Sequence, residues 1–179
     1  MNIQSIAGNN QTTFQSKIVP TKYLKDAIDA GIKRPRGSRA MVDGINLILN
    51  DGKNNVVKLD YTGNKLIDFL FKGAFRITIN DTPKMWNFHN AGGGIKYQSM
   101  HALAQINDGV LSQENKILDG MVERLVKKQG EIFDQYDYGT LDRKKIAKLH
   151  KHQDYLQKKY DQMIKDELIK LRKMIFPEG

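Results

Sequence analysis

The most regular feature of the chain is a helical repeat of apolar residues across residues 99–179. Apolar residues recur at steps of three and four after Ser99, which is placed to cap a first long helix. Asn107-Asp108-Gly109 is expected to kink or split that helix, since glycine is unfavourable in a helix interior. A second apolar seam runs from Ile146 to Ile175, and Tyr138-Gly139-Thr140 supplies a stop and a new cap between the two. Because short connections make helices antiparallel neighbours, the pattern predicts a long, coiled-coil-like helical hairpin.

Shorter patterns fill residues 17–98. Thr21 and Ser38 each stand before apolar residues at helical spacing, which predicts two short helices. Alternating or continuous apolar runs then predict strands at Val56–Tyr61, Leu66–Phe71 and Phe75–Ile79, with a short fourth at Met85–Phe88. We expect an α+β fold that is mainly helical overall. Its body is a small antiparallel three- to four-stranded meander with two short helices, and the hairpin follows it.

Three regions are expected on this basis. Residues 1–16 are polar and read as an N-terminal tail. Residues 17–98 form the small α+β body, and residues 99–179 form the helical hairpin. The boundary is placed at the glycine-rich stretch 90–98, because glycine-rich segments are typical of flexible connections.

Composition narrows the classes of protein that need to be considered. The chain contains no cysteine, which excludes disulfides, thiolate zinc sites, iron–sulfur clusters and cysteine nucleophiles. Neither a membrane-spanning apolar run nor a secretory signal is present, so a cytoplasmic location is expected. Lysine, asparagine and isoleucine are plentiful, which favours an AT-rich genome and hence a bacterial or phage origin.

The net charge of +9 is distributed unevenly along the chain. Residues 99–139 hold four basic and seven acidic side chains, whereas residues 140–179 hold eleven basic and six acidic ones. The predicted hairpin therefore pairs an acidic first arm with a basic second arm. This complementarity is expected to neutralise part of the basic character of the last helix.

Two basic clusters are nevertheless candidates for contact with phosphates. One lies between the first two predicted helices and the other on the last helix, and the residues are Lys33, Arg34, Arg36, Arg39, Lys144, Lys148 and Lys151. Arg36 and Arg39 precede a helix N-terminus, which is unfavourable for cations and suggests a compensating ligand or acidic partner. The last helix lacks the interleaved aromatic residues expected of single-strand binding. The sequence alone therefore favours a solvated loop and a solvated helix face over nucleic-acid binding.

The candidates for a catalytic site rest on weaker sequence patterns than the basic clusters do. The glycine run 92–94 precedes a predicted helix, but it does not match a nucleotide-binding loop, so a flexible connector is favoured over an anion site. His89 and His101 flank this run and offer a minor hypothesis of a metal or general-base pair. His150 and His152 are two residues apart and point in different directions on a helix. We expect no catalytic residues, no metal site and no cofactor. The sequence favours a non-enzymatic role, and a small enzyme at the Trp86–Ser99 loop is left open as a third hypothesis.

The leading functional hypothesis is a non-enzymatic protein–protein interaction or assembly protein that uses the hairpin as its binding surface. Its apolar face exceeds what two helices cover, and the residues expected to contact a partner are Leu118, Met121, Leu125, Ile132, Met163, Leu168 and Met174. The partner is another protein or a second copy of the chain, and no membrane is expected. The alternative is a nucleic-acid-associated protein that binds phosphates through Lys33–Arg39 and the basic last helix.

Overall fold

The computed structural model describes residues 15–87, 94–106, 116–137 and 143–178. Within these ranges the elements are β1 (Lys17–Ile18), α1 (Lys22–Lys33), α2 (Arg39–Leu49), β2 (Val56–Asp60), α3 (Lys65–Leu70), β3 (Phe75–Ile79), β4 (Thr82–Asn87), α4 (Gly94–Ile106), α5 (Lys116–Asp137) and α6 (Arg143–Ile175). The protein is mainly helical with one small sheet, which confirms the predicted α+β content.

The sheet is mixed, with strand order β1-β2-β3-β4. Strands β2 and β4 are each antiparallel to β3, but the predicted middle strand of the meander, Leu66–Phe71, is not among the strands. Asn80 and Asp81 turn the chain between β3 and β4 with φ of 50° and 61°. Strand β1 is parallel to β2, with Lys17 opposite Val56. The prediction of a wholly antiparallel sheet is therefore wrong at this edge. Because α1 and α2 lie between β1 and β2, the chain crosses over and re-enters the sheet in the same direction.

The predicted strand over Leu66–Phe71 is a helix, α3. The side chain of Asn64 caps it by accepting hydrogen bonds from the amides of Leu66 and Ile67 at 3.0 and 3.3 Å. A run of apolar residues this short does not distinguish a strand from a helix, so the cap decides the outcome. No residue of α3 is buried, so packing does not dictate its conformation.

The core lies between one face of the sheet and helices α1, α2 and α4. Thr21 caps α1 as predicted, since its hydroxyl accepts from the Leu24 amide at 3.1 Å and donates to the Leu59 carbonyl. The largest fully buried side chains include Tyr23 and Phe75, whose rings meet edge-on at 6.3 Å between centroids. The same core continues into α6 through Ile164, Leu168, Leu171 and Ile175.

Helix α6 consequently packs against two parts of the protein, the hydrophobic core and α5. Its C-terminal half is part of the core and is also tied to α1 by an ion pair between Arg172 Nε and Asp29 Oδ1 at 2.8 Å. Its N-terminal half packs along α5, with Ile146 and Leu156 buried in that seam. The packing of α5 along α6 confirms the predicted hairpin in part, and its coiled-coil character stays a prediction.

The first arm of the hairpin differs from the prediction. Helix α4 begins at Gly94 and packs against α1 and α2. Ser99 lies buried inside α4, where its hydroxyl donates to the Lys96 carbonyl at 2.8 Å, and it is not an N-cap. The predicted kink at 107–109 and the turn at 138–140 fall outside the described residues. The region boundary at residue 98 stays a prediction, although the apolar core draws on residues from both sides of it.

Candidate functional site

A short, basic loop joins α1 to α2 and folds back on itself. The Ser38 amide donates to the Pro35 carbonyl at 2.9 Å, and the Ser38 hydroxyl donates to the Arg34 carbonyl at 3.3 Å. These bonds satisfy backbone groups that the end of α1 would otherwise leave without a partner. The side chains of Lys33, Arg34 and Arg36 are left exposed. The local fold thus holds three cations on a compact turn.

A buried lysine of α4 binds the backbone of this loop. Lys96 is only 8% exposed, and its Nζ donates to the carbonyls of Arg34 at 3.0 Å and Arg36 at 2.6 Å. Burial lowers the pKa of Lys96, and the neighbouring Arg34 guanidinium lowers it further, while Asp161 opposes the shift. The lysine therefore adds a third positive charge behind two arginines, and one carboxylate faces them.

Asp161 connects the loop to α6. Its Oδ2 lies 4.0 Å from Arg36 Nε, and its Oδ1 accepts a hydrogen bond from Gln157 Nε2 at 2.8 Å. The Arg36 side chain is 74% exposed, so this contact positions the arginine without removing it from solvent. Lys158 and Lys165 lie one helical turn before and after Asp161. The basic loop is therefore placed beside a basic stretch of α6 that is more than 120 residues away in sequence.

The solvent-facing side of α6 carries a line of basic residues toward its N-terminus. Helical spacing, with steps of four, three and seven residues and an adjacent pair at the end, places them on the side away from the buried Ile146 and Leu156. They are Lys144, Lys148, Lys151, Lys158 and Lys159. All five are exposed. From Lys144 to Lys158 this line covers about 21 Å at roughly 1.5 Å per residue. Among the residues that the structure describes, Lys148, Lys151, Lys158 and Lys159 have no acidic partner.

Two exposed tyrosines lie among these cations. Tyr155 is 60% exposed and belongs to the same line on α6, between Lys151 and Lys158. Tyr97 is 50% exposed, and the Nζ of Lys96 lies 5.1 Å from the centroid of its ring. The sequence interpretation that basic residues lack interleaved aromatic residues is therefore wrong on this surface. We name the exposed loop cations, the line on α6 and these two tyrosines the cationic face.

Arg39 is placed differently from the other predicted contact residues. Its Nε donates to both carboxylate oxygens of Asp43, at 2.8 and 2.7 Å, one helical turn along α2. The Arg39 side chain is mostly buried, and that of Asp43 is almost completely buried. The acidic partner inferred from the unfavourable position of Arg39 is thus supplied by α2 itself, and Arg39 lies outside the cationic face.

The apolar residues predicted to contact a partner are dispersed. Leu168 is fully buried in the core, and Met121 and Ile132 are buried in the contact between α5 and α6. Leu125 and Met163 are partly buried, and Met163 packs against the core. Met174 is exposed, and the side chain of Leu118 lies outside the described residues. Much of the apolar surface that motivated the interaction hypothesis is therefore covered within the chain.

The histidine and glycine candidates do not assemble into a site in the described part of the chain. His101 is exposed on α4, and His150 and His152 are exposed on α6. His89 and the glycines at 92 and 93 fall outside the described residues. Across the described ranges, no cluster of three or more histidine or carboxylate side chains has a metal-binding arrangement. None of the described helices combines the length and apolarity needed to span a bilayer.

Sequence reasoning missed the residues that assemble the cationic face. No local pattern marks Lys96 for this contact, because its partners are backbone carbonyls of a loop 60 and 62 positions earlier. Asp161 looked like one of several acids interspersed on the last helix. Tyr155 offered a usable signal, since it falls outside the apolar seam while sharing the helical spacing of Lys148, Lys151 and Lys158.

Comparison with known proteins does not assign the chain to a family. No family model matches the sequence, and no curated protein or solved structure is significantly similar to it.

Proposed function

We propose that the protein binds nucleic acid through the phosphate backbone, using the cationic face. The observation that carries the proposal is the placement of the basic loop beside α6, through the contacts of Lys96 and Asp161. These contacts bring the basic loop to the turn of α6 that holds Asp161, one helical turn from Lys158, and the remaining lysines of the line follow further along the helix. A polyanion that lies along α6 would meet both basic clusters.

The arrangement of charge suits a long polyanion better than a single phosphate. Seven exposed cations of the face remain after Lys144 is set aside, and they are Lys33, Arg34, Arg36, Lys148, Lys151, Lys158 and Lys159. Of these, Arg36 also contacts Asp161. They are spread along a line and do not converge on one point. Contacts of this kind release counterions, so affinity is expected to fall steeply with salt, with a log–log slope of about −5 to −6 if all seven contribute.

The test is binding of a fluorescently labelled oligonucleotide of about 20 units, measured by anisotropy between about 50 and 200 mM salt. The double variant Arg34→Gln/Arg36→Gln is expected to weaken binding and to reduce the salt slope by about 1.5. The matched control is Lys17→Gln/Lys53→Gln, which removes the same charge from β1 and from the loop beyond the opposite end of α2. Equal losses in both double variants would show that net charge alone is responsible and would refute this site.

A second candidate keeps the interaction hypothesis and is favoured by the outer face of α5. Val126 and Phe133 are 65% and 60% exposed, and they share a helix face that points away from the buried Met121 and Ile132. Exposed Glu123 and Asp134 flank this face, together with Lys127. An acidic, apolar helix face complements a basic one, and the cationic face of α6 has that character. The partner we assign to it is therefore a second copy of the chain, with α5 of one copy on α6 of the other.

This assembly would be heterologous, so it extends into a chain or closes into a ring rather than forming a twofold dimer. Sedimentation velocity over a range of protein concentration tests it. Self-association is expected to weaken with added salt and to be lost in Phe133→Ser, with Met174→Ser as the control for an exposed apolar residue elsewhere. A mass that stays monomeric at every concentration would remove this candidate and leave the nucleic-acid proposal standing.

A further inference from the structure

Neither exposed tyrosine of the cationic face belongs to the described hydrophobic core. Tyr155 is 60% exposed on a helix whose buried residues lie on the opposite side, and its described ring neighbour is His152, at 6.2 Å between centroids. Exposed large aromatic side chains gain little for the fold, because their apolar surface remains in water. Lys151 stands one turn before Tyr155, and Lys158 and Lys159 stand one turn after it.

Tyr97 repeats this combination at the loop end of the face. Its ring lies against the Lys96 ammonium, which in turn holds the carbonyls of Arg34 and Arg36. Half of the residue remains exposed. An exposed aromatic ring next to a cation thus occurs twice, once on α6 and once on α4.

Duplex and single-stranded nucleic acids differ in what they offer such a surface. In a duplex the bases are stacked inside, and a flat line of lysines meets only the phosphates. In a single strand the base faces are accessible and stack on exposed aromatic side chains, while neighbouring cations follow the backbone. Stacking needs no base-specific hydrogen bonds, so it tolerates any sequence.

Resting on the proposed function, we propose that the cationic face selects single-stranded nucleic acid, whose bases stack on Tyr155 and Tyr97. Its phosphates bind the basic residues on either side of each ring. The shared chemistry of DNA and RNA is sufficient for this mode, so both are bound, with no strong preference for sequence.

Anisotropy titrations of the full chain test the inference with three probes of about 20 units: single-stranded DNA, RNA of the same sequence, and the DNA duplex. The wild-type protein is expected to bind both single strands more tightly than the duplex. Tyr155→Ala and Tyr97→Ala are each expected to lower single-strand affinity about tenfold and to leave duplex affinity unchanged. Tyr155→Phe and Tyr97→Phe retain a stacking ring and are expected to bind like the wild type. Met174→Ala controls for loss of an exposed apolar side chain outside the face.

The possible outcomes separate the two claims. If duplex and single strand bind equally and the alanine variants match the wild type, the stacking inference is overturned while backbone binding stands. If an alanine variant loses duplex and single-strand binding alike, the tyrosine acts through the fold, and the inference is again overturned. Absence of salt-sensitive binding to all three probes would overturn the proposed function as well.

Discussion

A methyl group added at Gly73 provides a sharp test of how the turn after α3 is packed. Gly73 has a φ of 92°, and a Cβ built there would lie 2.8 Å from Ile95 Cα and 2.9 Å from Ile95 N. These are backbone atoms of α4, so no side-chain rotation relieves the clash. The Gly73 carbonyl also accepts a hydrogen bond from the Tyr23 hydroxyl at 2.8 Å, which fixes the turn from the core side.

The expected cost of Gly73→Ala has two parts. A left-handed conformation costs an alanine about 1–2 kcal/mol, and forced displacement of well-packed groups costs about 1–3 kcal/mol more. The free energy of unfolding should therefore fall by about 3–4 kcal/mol. Gly63→Ala is the matched control, because Gly63 has a φ of 83° and no atom lies within 4 Å of its added Cβ. It should lose only the conformational part, about 1–2 kcal/mol.

Urea unfolding followed by circular dichroism measures both variants. Gly73→Ala should lose about 2 kcal/mol more of the free energy of unfolding than Gly63→Ala, at an unchanged denaturant slope. Equal losses would show that the added methyl group does not clash with the backbone of α4, and would refute the packing argument for Gly73.

Three further outcomes are expected. Leu168→Ala removes a fully buried side chain that joins α6 to the core, and it should lower the free energy of unfolding by about 3–4 kcal/mol in the same urea assay. Lys96→Met removes the two hydrogen bonds that hold the basic loop. It should lower the free energy of unfolding by about 1–2 kcal/mol, since removal of a buried charge offsets part of the loss. An unchanged unfolding midpoint would contradict the role of Lys96 in holding the loop. Burial raises the pKa of Tyr61 above its ordinary value of 10.0, and the hydrogen bond to Asp26 raises it further. Because the pKa of Tyr61 is higher in the folded than in the unfolded chain, its contribution to stability is complete below about pH 10 and is lost as the pH rises further. The free energy of unfolding should therefore fall above about pH 10, and less steeply in Tyr61→Phe than in the wild type.

The elements that follow from local chemistry were predictable. Thr21 caps α1 through its own hydroxyl, and α6 follows from an apolar seam that continues over many turns. Helix α3 was not predictable in the same way, because its few residues satisfy a strand pattern as well as a helix pattern and none is buried. Ser99 is a residue type suited to a cap, yet α4 starts at Gly94 and encloses it.

The two basic clusters of the candidate site were predictable from the sequence, but the contacts that join the loop to α6 were not. Lys33, Arg34 and Arg36 stood out as a basic cluster, and Lys148 and Lys151 stood out on a basic helix. What joins the two clusters is a buried lysine that binds backbone carbonyls and a carboxylate that meets Arg36 across the fold. Contacts between distant residues of this kind leave no periodic signal in the sequence. The exclusion of Arg39 follows from a pairing on α2, which spacing alone permits without requiring.

The central claim is that one nucleic-acid molecule covers the basic loop and the outer line of α6 together. Acetylation of lysines followed by mass spectrometry, with and without a single-stranded oligonucleotide of about 20 units, tests this directly. Bound nucleic acid is expected to protect Lys33, Lys148, Lys151, Lys158 and Lys159 together, and to leave Lys17 and Lys53 as reactive as in the free protein. Protection of only one of the two clusters, or uniform protection that includes Lys17 and Lys53, would contradict the claim.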